Sequence, residues 1–293
     1  MSNLLAIIIP YYKITFLRET LDSLAAQTDQ RFTVYIGNDA SPENPEDLLE
    51  EFEGKFNFVY KNFEENLGGT SLTKQWNRCI EMMQDEEWFM ILGDDDYFSS
   101  NVIEEFYKNI VFAERENVNV MKLNSATVNE NSVITSEKKP EPFIKSSIDH
   151  FFDKFIFEGR SSLSEHIFKK SQYDLYCFKN LPLAWHADDL AVLEFSEYAN
   201  TMFLEKAKCF VRISAESISG NPEKFKKEKW GATKMFFDSV CYNLSKFNKA
   251  QKAQLFDLIE WHEKEKNIKV KIPNRLTEFF SVYGYKALLK FLR

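Results

Sequence analysis

The first 125 residues alternate between short apolar runs and amphipathic stretches, and this alternation restricts the fold more than any other feature. Leu4–Pro10, Phe32–Gly37, Phe56–Tyr60, Glu87–Leu92 and Val118–Leu123 have strand length. Between them, Ile14–Gln27 places Ile14, Leu17, Leu21 and Leu24 at helical spacing. Pro45–Phe52 reads as a short acidic helix, Ser71–Gln84 as a helix and Ser99–Glu116 as a longer amphipathic one. Strands apolar on both faces, separated by helices, predict an α/β domain with a mixed, mostly parallel sheet covered on both sides. Such sheets bind ligands beyond the carboxyl ends of their strands. Asn38–Asn44 and Gly93–Asp96 follow the second and fourth strands, so they share one rim, and the loop Asn66–Thr70 can reach it.

Further along, Ser125–Thr135 alternates β-branched residues, Leu163–Phe168 is strand-like, Trp185–Tyr198 helical and Met202–Ile213 again strand-like. From Asn221 the pattern is helical, with Pro222 where a helix can start. We therefore expect a domain over 1–220 and a basic helical extension over 221–293. Charge divides at the same place. Residues 1–220 hold 21 Lys and Arg against 37 Asp and Glu, a net of −16, and residues 221–293 hold 16 against 8, a net of +8. An acidic larger part suits cation binding and excludes a nucleic-acid surface, which would show basic residues interleaved with aromatics.

No apolar run reaches the ~18 residues of a membrane span, and the opening run, ended by Pro10, reads as a buried strand and not a leader. Cys79, Cys177, Cys209 and Cys241 are too scattered for a zinc site or a disulfide framework, so a reducing cytoplasm is expected. The tail 279–293 is aromatic and ends in cations. It fits either a covering helix packed on the acidic part, the simpler reading, or a peripheral contact with the inner face of a membrane.

The segment Trp88–Asp96 carries the chemistry. Three adjacent carboxylates, Asp94, Asp95 and Asp96, at the end of a buried strand repel one another, and a divalent cation relieves the repulsion. Mg²⁺ or Mn²⁺ takes oxygen ligands, commonly one or two carboxylates plus phosphates. The plainer alternative is a solvated acidic turn before the next helix.

Four motifs, in order, resemble the family 2 glycosyltransferases. Ile7-Ile8-Ile9-Pro10-Tyr11-Tyr12 is similar to that family's opening strand and turn, and Ile36-Gly37-Asn38-Asp39-Ala40-Ser41 to its second-strand motif. Asn66-Leu67-Gly68-Gly69 with Trp76-Asn77-Arg78 resembles its Asn-x-Gly loop and Asn-Arg helix, and Leu92–Asp96 its DxD-type segment. The resemblance spans about residues 4–220. It implies a GT-A fold and transfer of a sugar from a nucleotide-diphosphate donor, UDP by analogy, to a saccharide or lipid-linked acceptor in polysaccharide assembly. It also implies donor contacts from Pro10, Tyr12, Asp39, Asn66, Gly68, Arg78 and Asp94, with metal held by Asp95 and Asp96. Two positions depart from the family pattern: Asn38 and Gly93 stand where it usually has aspartate.

An inverting transferase needs a base for the acceptor hydroxyl. Trp185-His186-Ala187-Asp188-Asp189-Leu190 matches the family's acidic pair, with Asp189 in the place of the base and Asp188 in that of the usual glutamate. Burial is expected to raise the base's pKa; the plainer alternative is a helix-opening carboxylate that complements the dipole, over which the preceding motifs favour the base. The segment Arg160–His166, with Ser162, sits where the resemblance puts the acceptor side, although a polar loop explains it equally well, and His186 is a further acceptor-side candidate. Two other classes remain in view. A sugar-nucleotide nucleotidyltransferase would carry a glycine-rich basic loop where Tyr11-Tyr12-Lys13-Ile14 stands, and a silent nucleotide-sugar-binding protein of the same fold would account for Asn38 and Gly93. There is no nucleophile elbow, Walker loop or dinucleotide fingerprint.

Overall fold

The structure, a computed structural model, describes residues 3–157, 159–214, 217–220 and 223–284. In chain order it runs β1 Leu5–Tyr11, α1 Leu17–Ala25, β2 Phe32–Asn38, α2 Glu46–Glu50, β3 Asn57–Asn62, α3 Leu72–Ile80 and β4 Trp88–Ile91. There follow β5 Tyr97–Phe98, α4 Val102–Arg115, β6 Val120–Val128, β7 Ile134–Glu137, β8 Ile144–Ser146, α5 Ser147–Ile156 and β9 His166–Lys169. The chain closes with α6 Lys170–Tyr176, α7 Ala187–Phe195, β10 Asn200–Arg212, α8 Lys226–Tyr242, α9 Lys249–Lys266 and α10 Arg275–Tyr283.

One ten-stranded sheet has the order β3-β2-β1-β4-β9-β6-β10-β5, with β7 pairing β6 and β8 pairing β10. The ladders β1/β2, β2/β3, β1/β4 and β6/β10 are parallel. The short β9 is inserted antiparallel between β4 and β6.

Period-2 alternation in β1 serves both faces. Leu5, Ile7 and Ile9 pack with Leu17, Leu21 and Leu24 of α1 and Phe106 and Ile110 of α4. Ala6 and Ile8 pack on the other side with Trp76, Cys79 and Ile80 of α3 and Ala191 and Phe195 of α7. A third cluster is helical. Phe151 and Phe152 of α5 and Leu190 and Leu193 of α7 meet Phe236, Phe237, Phe256 and Phe279 of α8 to α10. Each wholly buried phenylalanine there contributes about 1.5–3 kcal/mol. This cluster joins residues on both sides of Gly220.

Two sequence expectations are corrected. The third strand is not apolar on both faces: β3 is an edge strand, and Val59 is exposed. Leu163–Phe168 is not one strand, because Leu163–Glu165 forms a 3-10 turn and pairing begins at His166. The 125–160 region contains a helix, α5, capped by Ser146, whose Oγ accepts the Ile148 N–H at 3.2 Å. Of the tail 279–293, residues 285–293 lie outside the described residues, while Phe279 and Val282 of α10 are buried in the helical cluster. No helix among the described residues is long and apolar enough to cross a membrane.

Candidate active site

The rim is assembled by backbone amides meeting carboxylates. Pro10 and Tyr11 of β1 lie beside Gly37 and Asn38 of β2, and the Asp39 N–H donates to the Tyr11 carbonyl at 3.0 Å. Asp39 Oδ1 and Oδ2 accept the Leu67 and Gly68 N–H groups, both at 2.8 Å, and Arg78 forms an ion pair with Oδ1. The Arg78 guanidinium also caps the Glu65 carbonyl at 2.8 Å and lies 4.0 Å above the Phe63 ring. Burial nevertheless holds the Asp39 carboxyl above its ordinary pKa, against the pull of these bonds. Asn66 closes its own turn by accepting the Gly69 N–H at 2.6 Å. Asp39, Asn66, Gly68 and Arg78 thus form one latch, in which the Asp39 carboxylate grips the loop.

Asp94 joins β4 to β1: its Oδ2 accepts the N–H groups of Tyr12 at 2.7 Å and Lys13 at 2.8 Å. Tyr12 leaves its ring exposed, and its carbonyl accepts the Ser41 hydroxyl at 2.5 Å. Asp96 is buried, and its Oδ1 accepts the Arg212 N–H at 2.8 Å. Arg212 is a buried brace. Its Nε reaches the Asp95 carbonyl at 3.0 Å, its Nη1 the Asn129 carbonyl at 2.7 Å, and its Nη2 pairs with Glu19. Asp94 and Asp95 line a cavity of about 230 Å³ with Lys13, Phe16, Glu130 and Ser214.

Desolvation and mutual repulsion push Asp94 up to about 6 and Asp96 up to about 8, and burial raises Asp95 as well. A corner that resists ionisation this strongly favours a bound cation. Its donors are hard carboxylate oxygens. Asp95 Oδ1 and Asp96 Oδ2 lie 2.9 and 3.3 Å from the point a Cβ on Gly93 would occupy, so the missing side chain leaves a cradle beside both. Among the described residues no three acidic, His or Cys groups converge to hold an ion unaided. That donor set fits Mg²⁺ or Mn²⁺, which complete their shell with phosphate and water, and does not suit the N/S preference of structural zinc.

The second carboxylate pair opens α7. Asp189 is 9% exposed, and its two oxygens lie 2.5 and 2.7 Å from Lys154 Nζ of α5. His186 Nδ1 lies 2.8 Å from Asp189 Oδ2. His186 itself is at φ 68°, with ring centroids 5.1 Å from both Phe155 and Phe236. Its Nε2 is 3.4 Å from Thr233 Oγ1, so the ring serves Asp189 and the helical core. Although burial alone raises Asp189, Lys154 and His186 outweigh it and hold this carboxyl well below the usual range. Asp188 behaves in the opposite way. Burial and the Asp189 charge push it up to about 7. Of the two, the expected rise in pKa falls on Asp188.

Asp189 and Lys154 line a larger cavity of about 740 Å³. One segment forms the wall between this cavity and the acidic corner. Arg160, Ser161 and His166 line the cavity, while Ser164 Oγ accepts the Gly93 N–H at 3.1 Å and bonds the Asp96 carboxylate. Ser162 is in the same segment but caps the 3-10 turn, its N–H donating to Glu165 Oε1 at 3.3 Å.

Arg160 opens the segment Arg160–His166 expected on the acceptor side, whereas Lys154 was not among the sequence candidates. The signal for Lys154 was present: Ile148, Phe151, Phe152 and Phe155 recur at helical spacing after Ser146-Ser147, which places Lys154 on a defined helix face.

Known proteins share both pattern and fold. In backbone, the chain superimposes on residues 1–349 of Staphylococcus aureus TarS crystallised with UDP-GlcNAc, with a TM-score of 0.66 and 16% identity over 90% of this chain and 73% of that one. The same fragment crystallised with UDP gives 0.61 over 90% and 72%. In sequence it is 28% identical to the glycosyltransferase GlyG of Streptococcus pneumoniae over 38% of this chain and 36% of that protein. It is 35% identical to an uncharacterized glycosyltransferase of Rickettsia typhi over 35% of this chain and 30% of that protein. The chain thus spans about a third of the length of these curated relatives. The sequence model described as glycosyl transferase family 2 matches residues 6–164, more than half of the chain and the whole stretch from β1 to the Ser164 wall, so the chain belongs to glycosyl transferase family 2.

Proposed function

We propose that this glycosyltransferase moves a sugar from a UDP-type nucleotide-diphosphate donor to an acceptor hydroxyl, with inversion and with Mn²⁺ or Mg²⁺, in polysaccharide assembly. The observation that carries the reading is the placement of two carboxylate groups on either side of one wall. Asp95 and Asp96 stand at the rim where donors of this fold bind, and Asp189 stands in the cavity behind Arg160–His166. Binding of UDP-GlcNAc and UDP by TarS supports the donor class.

A divalent cation held by Asp95, with Asp96 beside it, would neutralise charge growing on the departing diphosphate. Asp94, through Tyr12 and Lys13, and Asp39, through Leu67 and Gly68, fix the backbone amides and the loop that frame the nucleoside. The acceptor oxygen attacks the anomeric carbon as the bond to the diphosphate oxygen breaks, and its proton passes to Asp189. Lys154 and His186 hold that carboxylate ionised and oriented. Asp188, when ionised, raises the proton affinity of Asp189 by like-charge repulsion. We place the reaction in the cytoplasm, where a lipid-linked acceptor would bring the enzyme to the membrane's inner face.

The test is nucleotide diphosphate release from UDP-, GDP- and dTDP-sugars with Mn²⁺, Mg²⁺ or EDTA. The reading requires cation-dependent release from one donor class, with inverted product stereochemistry once an acceptor is supplied. Binding of a nucleotide sugar without release under any of these conditions would instead mark a silent binder.

A further inference from the structure

The 740 Å³ cavity carries more cationic chemistry than deprotonation of a hydroxyl needs. Its wall holds Lys122, Lys138, Lys139, Lys145, Lys154 and Arg160. Four of these meet carboxylates: Lys154 with Asp189, Lys145 with Glu141 and Asp153, and Lys122 and Lys138 with Glu141 and Glu165. Lys139 and Arg160 meet none among the described residues. Arg160 gives Nη2–H to Ser125 Oγ at 3.1 Å, whereas its Nη1 has no hydrogen-bond partner among the described residues. Ser147, His150 and His166, residues only 0, 8 and 1% exposed, also line this cavity, and their Oγ, Nε2 and Nδ1 atoms have no hydrogen-bond partner among the described residues.

Buried polar atoms without partners are rare in native folds, and each costs about 1–3 kcal/mol. Of six such atoms on the residues lining this cavity, Lys138 Nζ and Glu141 Oε2 are held in ion pairs, and the other four mark a place that a ligand completes. Neutral sugar hydroxyls satisfy Ser147, His150 and His166. They do not offset a guanidinium and an ammonium that meet no carboxylate among the described residues, whereas an oxyanion does, and arginine presents its N–H groups in the fork that phosphate and carboxylate match.

We infer that the cavity takes a saccharide acceptor bearing an oxyanion, a phosphate or a carboxylate, gripped by Arg160 and Lys139 while its hydroxyl faces Asp189. This rests on the transfer reading above and adds the acceptor's chemical class to it.

The test is ligand NMR line broadening with the full chain in EDTA, using inorganic phosphate and acetate as separate probes, alongside UDP binding with Mn²⁺. We expect saturable binding of at least one anion, weakened fivefold or more in both Arg160→Gln and Lys139→Gln, with UDP affinity unchanged in both. The stronger probe identifies the oxyanion. Lys139 is exposed, so its variant informs even if Arg160→Gln unfolds. If neither anion binds, or if both variants bind like wild type while UDP binds normally, the acceptor class is wrong and the transfer reading survives. If wild type binds no UDP, the transfer reading falls and the acceptor role falls with it.

Discussion

Lys154 Nζ lies 2.5 and 2.7 Å from the two carboxylate oxygens of Asp189, so α5 supplies the counter-ion for a carboxylate on α7. Removing one partner of a buried pair leaves the other charge uncompensated. Lys154→Met should cost about 3 kcal/mol, the low end for such pairs, because the lysine side chain keeps 23% exposure. Lys154→Met combined with Asp189→Leu should recover most of that loss. Asp189→Asn should lower kcat at least about 100-fold, as expected for a lost general base, with UDP affinity intact. Urea denaturation and steady-state kinetics check both statements, and near wild-type turnover in Asp189→Asn would remove the base assignment.

Asp188 sets a pH dependence with opposite consequences for activity and stability. Its carboxyl titrates near 7 in the fold instead of near 3.8. Turnover should rise as pH passes 7, since ionised Asp188 makes Asp189 the better proton acceptor. Stability should fall over the interval from 3.8 to 7, where the folded state binds the extra proton and the unfolded chain does not. Asp188→Asn should flatten the acid limb of kcat/KM and stabilise the protein at pH 8. An unchanged limb in that variant would show that another group controls it.

The latch on the second strand gives a steric test. A Cβ on Gly68 would come within 2.4 Å of Asp39 Oδ2, closer than real Cβ contacts approach. Gly68→Ala must therefore move either the loop or the carboxylate. We expect UDP affinity to fall about tenfold, which corresponds to about 1.4 kcal/mol, with kcat changed less. Asp39→Ala should do the same by freeing the Leu67 and Gly68 amides, and hydrogen exchange at those two amides should speed up. Unchanged affinity in both variants would separate the latch from donor binding.

How far this site was legible follows from the range of the signals. The rim came from local pattern: a run such as Trp88–Leu92 ending in Asp94-Asp95-Asp96 states both a strand and its chemistry. Asp39 was visible as a motif residue, but its partners Leu67, Gly68 and Arg78 are 28, 29 and 39 residues away, and nothing in sequence indicates which amides it accepts. The Asp189 electrostatics were harder still. The expectation of a raised pKa used burial alone, and the sign reversed because Lys154, 35 residues earlier, arrives by helix packing. β9 escaped notice as an insertion because a four-residue antiparallel strand between β4 and β6 is fixed by its neighbours, and the side-chain pattern of His166–Lys169 does not announce it.

His262 on α9 supports a last prediction, independent of catalysis. The residue is 5% exposed, its ring lies 4.9 Å from the Phe237 ring, and neither ring nitrogen has a hydrogen-bond partner among the described residues. Burial, reinforced by Lys266 and His186, pushes its pKa down to about 3. An unpartnered polar ring in an apolar cluster is a net cost of about 1–3 kcal/mol, so His262→Leu should raise the melting temperature. The acid side has a definite sign. The unfolded chain binds a proton at this histidine near 6.5 and the folded chain only near 3, so stability is full above 6.5 and is lost as pH falls between those values. His166, also held near 3 by burial, titrates over the same window and remains in the variant. His262→Leu should therefore lose stability less steeply than wild type between pH 7 and 5, without becoming flat. Urea midpoints at the two pH values measure this, and parallel losses in the two proteins would mean that His262 is not buried neutral in solution.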